Sequence, residues 1–148
     1  MSYDVATVRA QFPFLADDAR FVFLDSAASA QKPAVVIEAM DHYLRHQHAN
    51  VHRGVYERSA LATGRYEAAR ESVRRFIGAP HVSECVFVRG TTEASNLVVA
   101  TLGRVRVGAD DEVVVSGLDH HATFVPWQRH CAEVGAKLSV IPVVALAE

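Results

Sequence analysis

Hydrophobic and polar residues alternate in blocks that predict mostly helices in the first half of the chain. Apolar residues recur there at three- and four-residue steps. Asp4 is placed to cap the first helix, Pro33 to occupy the first position of the second and Gly78 to end the third. The predicted elements are a short helix at residues 4–12, a strand at 21–24, and helices at about 34–46 and 57–77.

The second half of the chain alternates between strand and helix patterns. Its order predicts a parallel, doubly wound sheet with right-handed crossovers and flanking helices, an α/β fold. Ligands of such sheets lie at the carboxyl ends of the strands. The predicted elements are strands at 85–88, 112–116 and 137–141, and helices at 91–102 and about 123–134, the last ended by Gly135.

The stretch at residues 86–96 predicts an anion pocket. Its apolar start indicates a strand covered on both faces, and Gly90 permits a tight turn or the close approach of a ligand. Thr91 or Thr92 is placed to cap the next helix, with Glu93 in its first turn. Free N–H groups, hydroxyls and the positive helix end then point the same way. An ordinary capped helix after a strand explains the same residues equally well.

The loop after the strand at 112–116 carries two adjacent histidines, His120 and His121. Two strand ends that bring imidazoles beside a phosphate cradle suggest a phosphorylated ligand with a planar part. A metal pair is the less favoured alternative. His81 and His130 are expected at the surface, and Trp127 in the core or an interface.

A second histidine cluster raises the question of a metal site. His42 and His46 are four residues apart on a predicted helix, with His48 or His52 near them. Exposed helical histidines are more common, and no cysteine or acidic ligand completes the set. No metal site is therefore predicted.

Composition indicates a globular cytoplasmic protein. The 148 residues are 50% hydrophobic and 22% charged, with a net charge of -2 and no basic block, which argues against a nucleic-acid partner. No apolar run reaches the roughly 18 residues of a membrane span, and the N-terminus lacks the order of a signal peptide. Cys85 and Cys131 lie in apolar surroundings and are expected to be buried free thiols, as in a reducing cytoplasm.

Four motifs occur in one order along the chain. They are FLDSAASAQKP at 23–33, NVHRG at 50–54, FVRGTTE at 87–93, and DHHA at 119–122 with VPWQ at 125–128. Together they resemble the N-terminal part of group II (SufS-type) cysteine desulfurases, which belong to the pyridoxal 5'-phosphate (PLP)-dependent class V aminotransferase family. The resemblance covers about residues 8–142.

The resemblance implies a fragment of the large domain of a fold type I PLP-dependent transferase, with a doubly wound, mostly parallel sheet. Residues 1–20 would form an N-terminal arm with a short helix, and residues 21–148 a truncated large domain. The full-length form would be a homodimer.

The resemblance also implies roles for single residues at the cofactor. Thr91 and Thr92 match positions that bind the cofactor phosphate. His120 matches the imidazole that stacks on the pyridine ring and helps proton transfer. Glu93 and Asn96 are expected to make supporting hydrogen bonds.

Four further residues match the substrate side of the family's site. Ala27 and Ala28 match small residues that line it, and His52 and Arg53 match a loop that reaches towards the partner subunit. Asp119 stands where the family usually has Glu, which is a mild departure.

The resemblance further implies that two reactive groups are missing. The lysine that holds the cofactor covalently and the mobile cysteine that attacks the substrate sulfur lie, in the family, beyond the equivalent of residue 148. Lys32, Lys137, Cys85 and Cys131 match neither position. The chain is therefore expected to be a fragment that is inactive alone, with unpaired strand edges and poor solubility.

The implied activity is that of a cysteine desulfurase, which converts L-cysteine to L-alanine and passes persulfide sulfur to an acceptor protein of an iron–sulfur assembly system. One alternative is another class V PLP enzyme, such as a selenocysteine lyase or a kynureninase-like protein. Another is a non-catalytic truncated subunit that pairs with a full-length partner through the helix at 57–77.

Overall fold

A computed structural model describes residues 3–18 and 20–143. The chain divides into two compact units, Met1–Val82 and Ser83–Glu148, which are described separately below. No helix in the described ranges combines the length and the apolar character that crossing a membrane requires.

The first unit is helical. Its elements are α1 (Val5–Ala10), α2 (Pro13–Ala16), α3 (Ala34–His46) and α4 (Glu57–Ile77). The predicted cap of α1 is confirmed, because Asp4 Oδ1 accepts hydrogen bonds from the backbone N–H groups of Ala6 and Thr7, at 3.0 and 3.3 Å. Pro33 precedes α3 as its N-cap, with extended backbone, one position earlier than the sequence predicts.

Helix α4 is the longest element, and its predicted bounds are confirmed. Gly78 ends it in the left-handed conformation, with φ 72°, which glycine adopts without steric cost. Ion pairs form between neighbouring turns of the helix: Glu71 lies 2.8 Å from Arg74 and 3.8 Å from Arg75. Hydrogen bonding to Arg74 holds the pKa of Glu71 below its usual value.

The second unit alternates helix and strand after a 3-10 turn at Val82–Glu84. Helix α5 continues through a π turn into α6, so the helical segment runs beyond its predicted end at residue 102. The elements are α5 (Thr91–Val98), the π turn (Val99–Gly103), α6 (Arg104–Arg106), β1 (Glu112–Ser116), α7 (His121–Val134) and β2 (Lys137–Ile141).

Strands β1 and β2 pair in parallel, as the sequence predicts. Their register runs from Glu112 opposite Lys137 to Ser116 opposite Ile141. Lys137 Nζ lies 2.7 Å from Glu112 Oε1, and hydrogen bonds from Lys137 and then Ser139 lower the pKa of Glu112. The ion pair therefore joins the first residues of the two strands.

The prediction of strands at residues 21–24 and 85–88 is wrong, because neither segment forms a strand in the described part of the chain. Neither segment pairs with a neighbouring strand, and the sheet found there contains only β1 and β2. Val86 is 64% exposed rather than covered on both faces. A β-forming run becomes a strand only when a partner accepts its hydrogen bonds, and local sequence does not supply that partner.

The core of the second unit lies between α5, the π turn, α7 and the sheet. Cys131 is 2% exposed, Cys85 is buried too, and both are free thiols, as the sequence predicts. Burial raises the pKa of the Cys131 thiol. Val99, Val115 and Ala122 are the other buried hydrophobic residues among those described in this unit.

His130 is buried, which corrects the expectation of a surface residue. It is 3% exposed, and its ring lies 6.3 Å from that of half-buried Trp127. Its Nε2 has no hydrogen-bond partner among the described residues. Ala122, Pro126 and His130 recur at four-residue steps and are all buried on one face of α7. That spacing is the signal that identifies His130 as a core residue.

Candidate functional site

The amino-terminal end of α5 is open to a ligand. Gly90 is its N-cap, and no side chain of the described residues caps it, so neither Thr91 nor Thr92 plays the predicted capping role. The backbone bond from Ala94 N–H to the Gly90 carbonyl, at 3.1 Å, is the first of the helix. The N–H groups of Thr91, Thr92 and Glu93 precede it and have no partner within the helix.

Glu93 bonds to the turn before α5 and not to the end of the helix. Its Oε2 accepts the backbone N–H of Arg89 at 2.7 Å, and the guanidinium of Arg89 donates to both carboxylate oxygens, at 3.1 and 3.3 Å. The Arg89 side chain first, and its backbone N–H second, lower the pKa of Glu93. The carboxylate thus closes the turn before the helix and leaves the helix end free.

The loop after β1 is held against the sheet by hydrogen bonds. Asp119 Oδ2 accepts the N–H of Ser116 at 2.9 Å, and Gly117 N–H donates to the Ile141 carbonyl at 2.9 Å. A Cβ at position 117 would lie 3.2 Å from the Ile141 carbonyl oxygen and 3.3 Å from Val143 Cγ2. Glycine therefore lets this loop lie against the end of β2.

His120 caps α7 with its own side chain. Its Nδ1 accepts the N–H of Ala122 at 3.1 Å, and its carbonyl accepts the N–H groups of Thr123 and Phe124. Because of this cap, α7 begins at His121, two residues earlier than the sequence predicts. With Nδ1 occupied as an acceptor, the geometry assigns the proton of the neutral ring to Nε2.

Helices α5 and α7 pack together, and their residues line an open cavity of about 380 Å³. This volume is within the range of small-molecule sites. The cavity brings Thr92 and His120 together. It is lined by Thr92, Asn96, His120, His121, Ala122, Val125, Pro126 and Arg129.

Asn96 and Gly90 shape the α5 side of this region. Asn96 Nδ2 donates to the Thr92 carbonyl at 2.8 Å, which is a supporting bond of the predicted kind. Gly90 is extended at φ 162°, and a Cβ there would meet no atom within 4 Å. Neither backbone strain nor packing among the described residues explains this glycine.

Thr91, the first residue of α5, does not line this cavity. The remaining predicted site residues, Ala27, Ala28, His52 and Arg53, lie in the first unit and are all exposed. Ala28 N–H donates to the Asp25 carbonyl at 3.2 Å, so Ala27 and Ala28 form a turn. His52 has a positive φ of 67° and contacts α4, and Arg53 follows it at the surface.

Lys137 lies away from the cavity within the second unit. Lys137 pairs with Glu112 at the amino-terminal edge of the sheet, whereas His120 follows the carboxyl edge. A five-residue strand separates these edges by roughly 13 Å. Lys32 belongs to the first unit, where its Nζ donates to the Ala30 carbonyl at 2.7 Å.

The described residues hold no group of three or more metal-ligating side chains. The rings of His42 and His46 lie 5.0 Å apart, and the His42 Nε2 is hydrogen-bonded to Gln47 at 2.7 Å.

The sequence profile of class V aminotransferases matches residues 22–147. The chain belongs to the class V aminotransferase family. It is 50% identical over 146 residues to a cysteine desulfurase of Klebsiella pneumoniae subsp. pneumoniae, and this alignment covers 97% of the chain and 36% of that protein. It is 47% identical over 146 residues to a cysteine desulfurase of Synechococcus elongatus, and this alignment covers 97% of the chain and 23% of that protein. The chain thus spans about a quarter to a third of the length of these relatives.

Solved structures of cysteine desulfurases are similar as well. An apo enzyme from Thermococcus onnurineus NA1 matches with a TM-score of 0.84 and 37% identity, over 95% of this chain and 34% of that one. The desulfurase CsdA of Escherichia coli matches with a TM-score of 0.79 and 41% identity, over 98% of this chain and 36% of that one. These matches confirm the predicted fold class, an α/β fragment of a fold type I PLP-dependent enzyme.

Proposed function

We propose that this chain is the phosphate-binding part of a group II (SufS-type) cysteine desulfurase with PLP as its cofactor. The observation that carries the proposal is the cavity in which Thr92, at the uncapped end of α5, faces the same space as His120. The names of the relatives, all cysteine desulfurases, support the choice of activity. They favour it over a selenocysteine lyase or a kynureninase-like enzyme.

The residues of the α5 end fit a phosphate group. Unpaired N–H groups at a helix N-terminus and the positive end of its dipole bind anions, an effect worth about 0.3–1 kcal/mol for one charge at an exposed helix end. Thr91 and Thr92 add hydroxyl donors, and Gly90 leaves the backbone approachable. PLP, when bound, supplies an electron sink for the bonds of the substrate's α-carbon.

His120 is placed to orient and to exchange a proton beside that group. The N–H of Ala122 fixes the ring through Nδ1, so Nε2 is the nitrogen at which a proton is held or released. Stacking on the pyridine ring and proton transfer at Nε2 are the roles proposed for it. Glu93 and Asn96 act only by shaping the turn and the first helical turn.

The remaining proposed roles belong to the whole enzyme. Ala27 and Ala28 line the substrate side, and His52 and Arg53 reach the partner subunit of a homodimer. The reaction converts L-cysteine to L-alanine, and persulfide sulfur passes to an acceptor protein of iron–sulfur assembly. Two buried free thiols are in keeping with a reducing, cytoplasmic setting.

Binding of PLP by the purified chain tests the proposal. We expect saturable, non-covalent binding, followed by the phosphorus NMR signal of PLP. Thr92→Val should weaken it about three- to tenfold, the size of one hydrogen bond of 0.5–1.5 kcal/mol. Thr101→Val is the matched control, since the Thr101 hydroxyl donates to the Leu97 carbonyl within the helix. Absence of saturable binding to the wild-type chain, or equal affinity in both variants, contradicts the proposal.

An assay of sulfide release tests whether this chain contains the cofactor-binding lysine and the reactive cysteine. We expect no sulfide from L-cysteine with the chain alone. Sulfide release, together with borohydride-stable attachment of PLP to Lys32 or Lys137, would overturn the view that neither lysine holds the cofactor.

A second candidate, a non-catalytic subunit that binds a full-length partner, is favoured by one observation. Helix α4 exposes Leu61 at 58%, Phe76 at 91% and Ile77 at 60% within the chain by itself. Light scattering after gel filtration, with a full-length desulfurase present, tests it. Phe76→Glu should abolish complex formation, whereas Arg65→Glu on the same helix serves as the charge control. A chain that stays monomeric in the mixture rules this candidate out.

A further inference from the structure

The loop that carries His52 and Arg53 has an unusual backbone. Among the residues that the structure describes, His52 is the non-glycine residue with a positive φ, at 67°. L-residues seldom occupy this left-handed region, and they persist there when surrounding contacts determine the conformation. The contacts that hold His52 therefore indicate what the loop is built to do.

Three side chains on one face of α4 make these contacts. The backbone N–H of His52 donates to Thr63 Oγ1 at 2.9 Å, and its Nε2 lies 2.7 Å from Glu67 Oε1. The imidazole also packs edge-on against the ring of Tyr66, with centroids 5.4 Å apart. Positions 63, 66 and 67 are three and four residues apart and so face the same side of the helix.

The supports of the loop are themselves fixed. The Thr63 hydroxyl donates to the Ser59 carbonyl at 2.8 Å, which leaves its oxygen lone pairs directed to the His52 N–H. Glu67 Oε1 also lies 3.6 Å from Arg70 Nη1. The main chain of His52 is thus bonded to Thr63 and its imidazole to Glu67, and each of these two side chains has a second partner within α4.

We propose that Thr63 and Glu67 are positioning residues for the His52–Arg53 loop. Thr63 fixes the backbone in the left-handed region, and Glu67 fixes the imidazole through Nε2. The Arg53 side chain, which follows at the surface, is then presented from one loop conformation instead of several. The functional meaning of this presentation rests on the proposed function, in which the loop reaches the partner subunit's site.

Two NMR signals of the purified chain test the positions directly. We expect the His52 amide and its ring Nε2–H to exchange more slowly with solvent than those of a histidine that lacks these hydrogen bonds. Thr63→Val should speed exchange of the amide by about five- to tenfold, as the loss of one net hydrogen bond implies. Glu67→Ala should speed exchange of the ring proton by a similar factor, whereas Glu67→Gln, which keeps a carbonyl oxygen acceptor, should largely preserve it.

Glu71→Gln provides the matched control on the same helix. Glu71 bonds Arg74 and contacts no part of the loop, so loss of a helix carboxylate alone should leave both His52 signals unchanged. A purely structural role of Glu67 within α4 would not affect the ring proton of His52. Unchanged ring-proton exchange in Glu67→Ala, or equal effects of Glu67→Ala and Glu71→Gln, overturns the proposal.

The same variants separate this inference from the proposed function. The His52 signals require no cofactor, and PLP binding is measured independently through Thr92. Accelerated His52 exchange with retained PLP binding supports both ideas. Accelerated exchange in a chain that does not bind PLP supports the positioning roles and removes the proposed function.

Discussion

Replacement of Gly54 by alanine is expected to destabilise the first unit by about 2–4 kcal/mol. A Cβ at this position would lie 2.3 Å from Ser59 Oγ, 2.4 Å from Ser59 Cβ and 2.8 Å from Tyr56 Cε1. These separations are far below van der Waals contact. Ser59 has little room to give way, because it is 1% exposed and begins the well-packed part of α4.

The magnitude follows from two effects. Forcing an extra methyl group into a packed site costs about 1–3 kcal/mol. Ser59 Oγ donates to the Asn50 carbonyl at 2.6 Å, and moving the hydroxyl away forfeits about 1 kcal/mol of net hydrogen bonding. Gly54 does not lie in the left-handed region, so backbone strain adds nothing to these two effects.

Urea denaturation followed by far-ultraviolet circular dichroism is the assay. Gly54→Ala should lower the midpoint without changing the slope. Gly64→Ala is the control: its Cβ would meet no atom within 4 Å in mid-α4, so it should stabilise by about 0.5–1 kcal/mol. Ser59→Ala should not rescue Gly54→Ala, because the 2.4 Å contact with Ser59 Cβ remains. A Gly54→Ala midpoint at or above that of the wild-type chain would refute the steric reasoning.

Three further predictions concern the second unit. Gly135→Ala should cost about 1 kcal/mol in thermal unfolding, because φ is 78° there and the nearest atom, Ala109 Cβ, is at an ordinary 3.6 Å. Cys131 should react with Ellman's reagent only after unfolding, since it is buried with a raised pKa; equal native and denatured rates would contradict this. The Glu93 pKa is below its ordinary 4.5, so the Arg89 contact stabilises above pH 4.5 and is lost as pH falls through the folded pKa. Hydrogen exchange of the Arg89 amide should become faster as the contact is lost at low pH. Glu93→Gln, which has no titrating carboxylate, should abolish this pH dependence.

Local signals predict the elements whose ends are set by local chemistry. Helix α4 agrees at both ends, and strands β1 and β2 agree residue for residue. Gly78 and Gly135 both adopt the left-handed conformation that their positions after apolar helices predict. Such signals act within a few residues, so the sequence alone is sufficient.

The segments at 21–24 and 85–88 show where this reasoning stops. Both are rich in β-formers, yet a strand is a property of a pair, and the partner is not encoded nearby. Val86 and Leu24, which is 90% exposed, therefore stay unpaired in the described part of the chain.

The sequence predicts that Thr92 and His120 lie near each other, and they do line one cavity. The bonds that these two segments make were not predicted. The two helix starts differ from the prediction. No side chain of the described residues caps α5, where Glu93 instead accepts the Arg89 N–H before the helix, and an imidazole nitrogen caps α7. Histidine is not among the usual N-cap residues, so propensity did not indicate this role for His120.

The parallel register of β1 and β2 has a consequence for how the histidine site forms. Glu112 lies opposite Lys137 and every later pair keeps that offset, so strand, loop, capped helix and returning strand occupy one continuous segment from 112 to 141. Closing a segment of this size is inexpensive in chain entropy, since each doubling of a loop costs only about 0.6 kcal/mol more. The bonds that orient His120 therefore all lie within a single short stretch of polypeptide and need no contact from distant parts of the chain.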